Sequence, residues 1–569
     1  MKKIFIILIT LLYFSANLIS QNINIDNIKD NIKKPFKING GLSLGSVYYT
    51  GNDVNVARQP FTYFLNGNVN LSFFGLIDIP LSLNLTNLGA KMSYPSLPNR
   101  LSLHPSYKWA TAHIGDVAMT FSPYTLNGHQ FTGGGVELTP SKFKIGLMGG
   151  RLMKEVKPTL DNPALIPNYA RFGYGAQFQY DHSKFSAGMT FFAGKDRQNN
   201  NMVALLDSIG ITPQQNIAFS WNFVLNVIKN LNLKAEYGLS FLTNDIRAPK
   251  NESENFFKKI FGGNSSTYIY NAVNVQLNYT FLKNTVGLAY ERIEPEYKTL
   301  GAYYSNNDYE NVTINYSRPL FKDKANIAVR FGIQRDDLNN MKEEKSNRYV
   351  GSLNFNYNPT EKLQTNFSYS SFQSYRNLKS QFDYINELSP YDNMDTLRYS
   401  QLSQNIDASV NYNFHKSETK NQTVNFIASY QEAANRQGNI SLPGNVTRFM
   451  NTAVGYSLQL IPQCININTS LNGTYNYMDS KNGFTFGPTV AVTAGFFKNT
   501  LTAGLATSYN ANFISSEIQA QVANVRVNAA YKLKKKHNFN GSVVWQNRQI
   551  NNKSTSNSLT AQVSYSFSF

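Results

Sequence analysis

From Ser558 to Phe569 the chain alternates almost without error. Leu559, Ala561, Val563, Tyr565, Phe567 and Phe569 fall on one face, and Ser558, Thr560, Gln562, Ser564, Ser566 and Ser568 on the other. A strand turns successive side chains to opposite faces, so this segment reads as a strand with one apolar wall and one small polar wall. The pattern recurs upstream. Val273, Val275, Leu277, Tyr279 and Phe281 alternate with Asn274, Gln276, Asn278 and Thr280. Leu353, Phe355 and Tyr357 alternate with Asn354, Asn356 and Asn358, and Ala523–Tyr531 repeats the motif with Asn524, Arg526 and Asn528. Alternation alone fits a soluble sandwich as well as a membrane barrel.

Connection lengths separate the two. Short turns are expected at Gly75–Asp78, Pro140–Lys142, His182–Ser183, Lys229–Asn230, Lys283–Asn284, Pro359–Lys362, Pro462–Gln463 and Lys498–Asn499. Between them lie longer polar connections, Lys195–Gln214, Arg247–Ser265, Asn377–Leu397 and Asn551–Asn557. Short turns at one end and long loops at the other are the mark of outer-membrane barrels. The expected fold is therefore all-β, a transmembrane antiparallel β-barrel of about 26 strands (about 24 to 28) over residues 36–569, with no separate plug domain. The count turns on Leu101–Met153. There the pattern predicts strand Leu101–His104, turn Pro105–Lys108, strand Trp109–Phe121, a loop, and strands Gly135–Thr139 and Phe143–Met153.

The N-terminus sets the compartment. Lys2 and Lys3, an apolar run Ile4–Phe14 and a small polar stretch Ser15–Ser20 have the layout of a secretory signal peptide, residues 1–20. Gln21 rather than Cys follows, which argues against a lipoprotein anchor, and residues 21–35 form a short polar periplasmic lead. The expected location is the cell outer membrane. Mean hydropathy is −0.35, too low for a helical membrane protein. Aromatics are 14% of the chain, 39 Phe and 35 Tyr against 3 Trp, as interfacial girdles around a polar lumen require. The single Cys464 excludes an internal disulfide framework and argues against a Cys-based zinc site. A formal charge of +18 points to anionic lipopolysaccharide or a lumen attractive to anions. No basic run is long enough for a nucleic-acid arm, and Lys532, Lys534, Lys535 and Lys536 lie at an expected periplasmic turn.

Candidate functional features are few. Thr120–Leu138 is the least repetitive stretch: Pro123 and the triplet Gly133, Gly134, Gly135 interrupt strand geometry, and Ser122, Tyr124, His129 and Phe131 give it a compact, side-chain-rich character. It is a candidate constriction or partner loop, or else an ordinary loop with turn glycines. Tyr290–Tyr304 carries Glu291, Arg292, Glu294 and Glu296, which either pair in the lumen or stand as a solvated loop base. Met202–Ile209, Asn255–Phe261 and Ser380–Leu388 have apolar helical spacing that suits a partial plug in the mouth or a docked partner, and more commonly packing on the barrel's own rim. The histidines, His104, His113, His129, His182, His415 and His537, show no metal-pair spacing, and no phosphate-binding glycine loop occurs. No catalytic, cofactor-binding or metal residue is assigned, no cofactor is expected, and the chain does not read as an enzyme.

With the leader and the terminal Phe569, the stretches Thr120–Leu138 and Tyr290–Tyr304 resemble large outer-membrane β-barrel proteins of Bacteroidota. The first, with Gly115 before it and Gly146–Arg151 after it, is loosely similar to strand-loop-strand segments of porins. The resemblance implies that Tyr565, Phe567 and Phe569 form the signal read by barrel-insertion machinery. Partners are then outer-membrane lipid and lipopolysaccharide, that machinery and envelope proteins. The expected function is a porin-like solute channel or transporter; the alternative is a non-transport scaffold or accessory subunit of an envelope assembly or secretion complex.

Overall fold

The computed structural model describes residues 35–569 apart from 53–58, 88–99, 158–166, 199–202, 204–205, 251–262, 342–346, 373, 377–384, 388–399, 403, 438–439, 479–480 and 551–553. Each strand pairs antiparallel with the next, from Phe36–Gly51 against Phe61–Phe73 to His537–Ile550 against Ser554–Ser568. The last strand then pairs with the first, Gly41 opposite Ser568 and Gly51 opposite Ser558. Phe569 and Gly40 exchange both backbone hydrogen bonds at 3.0 Å. Closure leaves no strand edge, which is what lets a sheet sit in hydrocarbon.

The closed sheet contains 27 hydrogen-bonded segments, two of which, Arg100–Leu103 and Ser106–Tyr107, are halves of one strand, so the ring has 26 strands. The break falls at His104 and Pro105, where proline has no N–H to give to the ladder. This corrects the expected turn at Pro105–Lys108: the chain reverses at Lys108–Trp109, with Lys108 at φ 51°. Strand Asn127–Leu138 also starts earlier than expected, so the loop before it is only 121–126 and the Gly133–Gly135 triplet lies within the strand. Those glycines make room rather than turns: a Cβ on Gly135 would lie 2.4 Å from the Met119 sulfur.

Which face points where decides between barrel and sandwich. Leu559 and Val563 are 39% and 64% exposed, while Ser558 and Thr560 beside them are 8% and 1%. A soluble sandwich would bury the apolar set. Here it faces out of the ring, where lipid takes the place of water. Aromatic contacts collect near the short turns: Phe143 with Tyr180 at 5.1 Å, Tyr279 with Phe281 at 5.8 Å and Phe539 with Tyr565 at 4.9 Å. Leu282–Lys283 and Lys534–Lys535 both have paired positive φ, the turn geometry that follows strand twist. Both ends of the ring's chain lie at this short-turn end.

The opposite end is uneven. Long connections lie between the first eighteen strands, the longest from Ser370 to Gln404. Beyond Lys420 the strands lengthen, to 21 residues in Ile440–Leu460, and resume within a few residues of one another. The loop expected at Asn551–Asn557 is therefore shorter: Ser554–Asn557 pair with Asn547–Ile550. Thr555 and Ser556 carry nothing that opposes extended pairing.

Candidate functional site

The two unusual stretches meet inside the ring. Residues 121–126 are folded back by a serine turn: the Tyr124 N–H donates to Ser122 Oγ at 3.0 Å and the Thr125 N–H to the Ser122 carbonyl at 3.2 Å. This tucks Tyr124 against the wall at Gly238, where a Cβ would lie 2.6 Å from the tyrosine Cβ. Ser122 donates to the Glu236 carboxylate, which also accepts from Ser220 at 2.6 Å. Pro123 stays exposed at the bend.

The connection 294–308 then lies along this fold. The Tyr297 hydroxyl donates to the Tyr124 carbonyl at 2.8 Å, and Thr299 Oγ1 to the Thr125 carbonyl at 2.6 Å. The Asn127 N–H donates to the Gly301 carbonyl at 2.9 Å. The approach is close enough that a Cβ on Gly301 would lie 2.6 Å from the Thr125 carbonyl oxygen. The wall holds the other side: the Leu300 N–H donates to Asn216 Oδ1 at 3.1 Å, and Ser240 Oγ donates to the Lys298 carbonyl at 2.7 Å. Buried backbone groups need such partners.

Between these polar ties lies an apolar cluster that includes Leu126, Phe131, Phe192, Tyr297 and Leu300, each 3% exposed or less. Each large side chain so buried contributes about 1.5–3 kcal/mol relative to water. His129 is buried too, stacked on Tyr303 at 4.1 Å. Thus Ser122, Tyr124, His129 and Phe131 all belong to one packed unit, Pro123 marks its exposed bend, and Gly133, Gly134 and Gly135 lie in the wall. The charged residues of the second stretch bind the wall. Glu294 accepts from the Asn271 N–H at 2.7 Å, Glu296 from the Tyr270 hydroxyl at 2.8 Å, Glu291 from Asn274 at 3.2 Å, and Arg292 lies 3.9 Å from Glu310.

A second inward contact crosses from the 371–403 connection. Asn386 Oδ1 accepts from Asn510 and Asn524, both at 2.9 Å, and Arg526 donates to the Glu387 carbonyl. Of Ser380–Leu388 only Ile385–Glu387 are described, and Asn255–Phe261 lies outside the described residues. Of Met202–Ile209 only residues 203 and 206–209 are described; Leu206 is fully buried against Tyr169 with Val203 beside it.

Part of the inner wall stands open at its short-turn end. On strands Asn347–Thr360 and Leu363–Ser370 the inward residues Asn354, Asn356, Gln364 and Asn366 are exposed. Earlier in the ring, toward the long-loop end, the inward residues Asn216, Ser220 and Ser240 are at most 1% exposed.

The broken strand produces a contact that sequence spacing did not reveal. His104 and His113 face each other with 2.8 Å between their Nδ1 atoms, and His113 Nε2 lies 3.5 Å from Glu137. The signal was present: both lie on the inward parity of strands joined by one turn. No group of three or more His, Cys, Asp or Glu placed to hold a metal occurs among the described residues. Tyr565, Phe567 and Phe569 end the closing strand; the Tyr565 hydroxyl lies 2.8 Å from His537 Nδ1, and Phe567 packs on Phe569 at 5.4 Å.

The ring, its lipid-facing apolar surface and its polar inner wall define a large outer-membrane β-barrel. No family model and no curated protein matches the chain. Solved structures with a similar outline include the FrpB iron transporter from Neisseria meningitidis, F3-3 variant, at 11% identity and TM-score 0.37, covering 95% of this chain and 83% of that one. The P pilus usher PapC translocation pore matches at 9% identity and TM-score 0.38 over 93% of this chain and 99% of that one. The copper transporter OprC matches at 9% identity and TM-score 0.35 over 93% and 80%. At these scores the likeness adds no functional argument.

Proposed function

We propose that the chain is a porin-like outer-membrane channel for small solutes, its lumen narrowed on one side by the packed pair 121–126 and 294–308. The observation that carries this reading is the exposure of Asn354, Asn356, Gln364 and Asn366 on the inner wall. Amide side chains lining a closed ring face water, not packed protein. At about 4.8 Å between strands and about 40° of tilt, a circular ring of this size is about 50 Å across. The packed pair is seated on one sector of such a ring, and among the described residues Asn354, Asn356, Gln364 and Asn366 remain uncovered.

Planar-bilayer recording of the reconstituted barrel tests the reading. Stepwise conductance that rises when Tyr297 and Leu300 are cut to alanine supports it; conductance no greater than protein-free bilayers removes it. A scaffold or accessory role is favoured by the outer loops, where Ile209 and Met341 are 50% and 83% exposed and offer apolar contacts at the mouth. Stoichiometric co-purification of an envelope protein, lost on Met341→Asp, would support that role. In either reading the lipid, lipopolysaccharide and insertion-machinery partners follow from membrane residence, with Tyr565, Phe567 and Phe569 as the insertion signal.

A further inference from the structure

The outer wall carries a groove that the channel reading does not use. It has a volume of about 630 Å³ and lies between strands Ala170–Asp181, Phe185–Arg197 and Gln215–Ile228. Its floor is Ala193, paired with Tyr174 on one side and Ile217 on the other. A methyl between two large neighbours makes a trench. The register puts Ala193 on the same face as Met189, which is 46% exposed and points to lipid. Lys195 and Arg197 follow on that face, one and two steps further toward the long-loop end, and both are exposed.

Among the described residues their charge is surplus. The carboxylates nearest in chain and fold already have arginine partners: Asp196 is held by Arg171 at 2.7 Å, and Asp207 and Asp245 by Arg247 at 2.7 and 2.8 Å. No ion pair of Lys195 or Arg197 occurs among the described residues. Their height also fits. Phe185 stands in the aromatic cluster at the short-turn end, packed on Tyr180 at 5.8 Å. Ten to twelve residues of tilted strand above it rise about 25–30 Å, the height of the apolar band. Two cations with no ion pair among the described residues thus sit at the outer interface, directly above an apolar trench.

We propose that this groove binds a phosphorylated lipid of the outer leaflet, the phosphate on Lys195 and Arg197 and an acyl chain along Ala193. Both cations offer N–H donors to phosphate oxygens, and the trench takes one chain between Tyr174 and Ile217. The inference rests on the outer-membrane placement but not on solute conduction, so loss of conductance and loss of lipid binding are separate results.

Native mass spectrometry of the full detergent-solubilised barrel, titrated with bis-phosphorylated lipid A, tests it. One lipid should remain bound to the wild type. Lys195→Ser with Arg197→Ser should weaken retention at least tenfold, and so should Ala193→Phe, which fills the trench from the lipid side without touching the interior. Both variants should keep the heat-modifiable gel mobility of a folded barrel. Lys534→Ser with Lys535→Ser, at the opposite rim, should change nothing. The proposal is overturned if either groove variant binds as wild type does, if the rim control loses binding equally, or if dephosphorylated lipid A binds as well.

Discussion

Two sectors of one ring, built from the same kind of strand, meet water differently. On strands Gln215–Ile228 and Leu231–Thr243 the inward Asn216, Ser220 and Ser240 lie under the packed pair of loops and serve as its anchors. On strands Asn347–Thr360 and Leu363–Ser370 the inward Asn354, Asn356, Gln364 and Asn366 look into open space. A small polar side chain on a barrel wall is thus either a hydrogen-bond seat or a water contact. What decides is the neighbouring connection. Apolar residues at 124, 126, 297 and 300 bring one pair of loops inward over the long-loop end, whereas Asn354–Asn366 lie near a short turn; toward the long loops on the same strand Val350 is 1% exposed.

The comparison breaks most severely where the apolar cluster is cut. Leu300→Ala should cost about 2–5 kcal/mol, read as a drop in apparent Tm. Leu353→Ala, on the lipid side of the open sector, should leave no water-accessible cavity and a much smaller change. Gly238→Ala should cost about 1–3 kcal/mol by pressing on Tyr124, and single-channel noise should rise as the loop loosens. The polar contact at Asn386 is weaker. Asn386→Ala removes its carboxamide from two donors and should cost about 1–2 kcal/mol, seen as faster proteolysis of the 371–403 connection.

In the open sector, Asn354→Asp with Asn356→Asp should change stability by no more than about 0.5 kcal/mol. It should nonetheless shift reversal potentials toward cation selectivity. The smallest effect concerns the outer ion cluster. Hydrogen bonds from Arg247 hold the Asp245 carboxyl below its ordinary value. A depressed carboxyl contributes stability above its unfolded pKa of about 3.9 and loses it as pH falls through the lower folded value. Proteolysis at residues 244–250 should accelerate below about pH 4 in the wild type, and Asp245→Asn should remove that acid dependence.

Much of this was legible before the fold was known. Period-two alternation and sorted connection lengths pointed to a closed ring of the observed size, because both are local properties of the chain. The boundaries that shifted did so for local reasons as well: Pro105 breaks a strand instead of forming its turn, and Gly133–Gly135 serve packing inside a strand. That Thr120–Leu138 and Tyr290–Tyr304 were unusual could be read off the residues. That they touch could not, since Tyr124 and Tyr297 lie on connections many strands apart that meet only because both fold into the ring. The His104–His113 contact lay within reach of parity reasoning across one turn.

The central claim is that the inner wall is sealed where the loop pair is seated and wet at Asn354–Asn366. Single cysteines placed at Ser240 and at Asn356, in a Cys464→Ser background, test it through their reaction with a membrane-impermeant thiosulfonate on the reconstituted barrel. The account predicts rapid labelling at position 356 and labelling at least a hundredfold slower at 240. Equal rates at the two positions would contradict it.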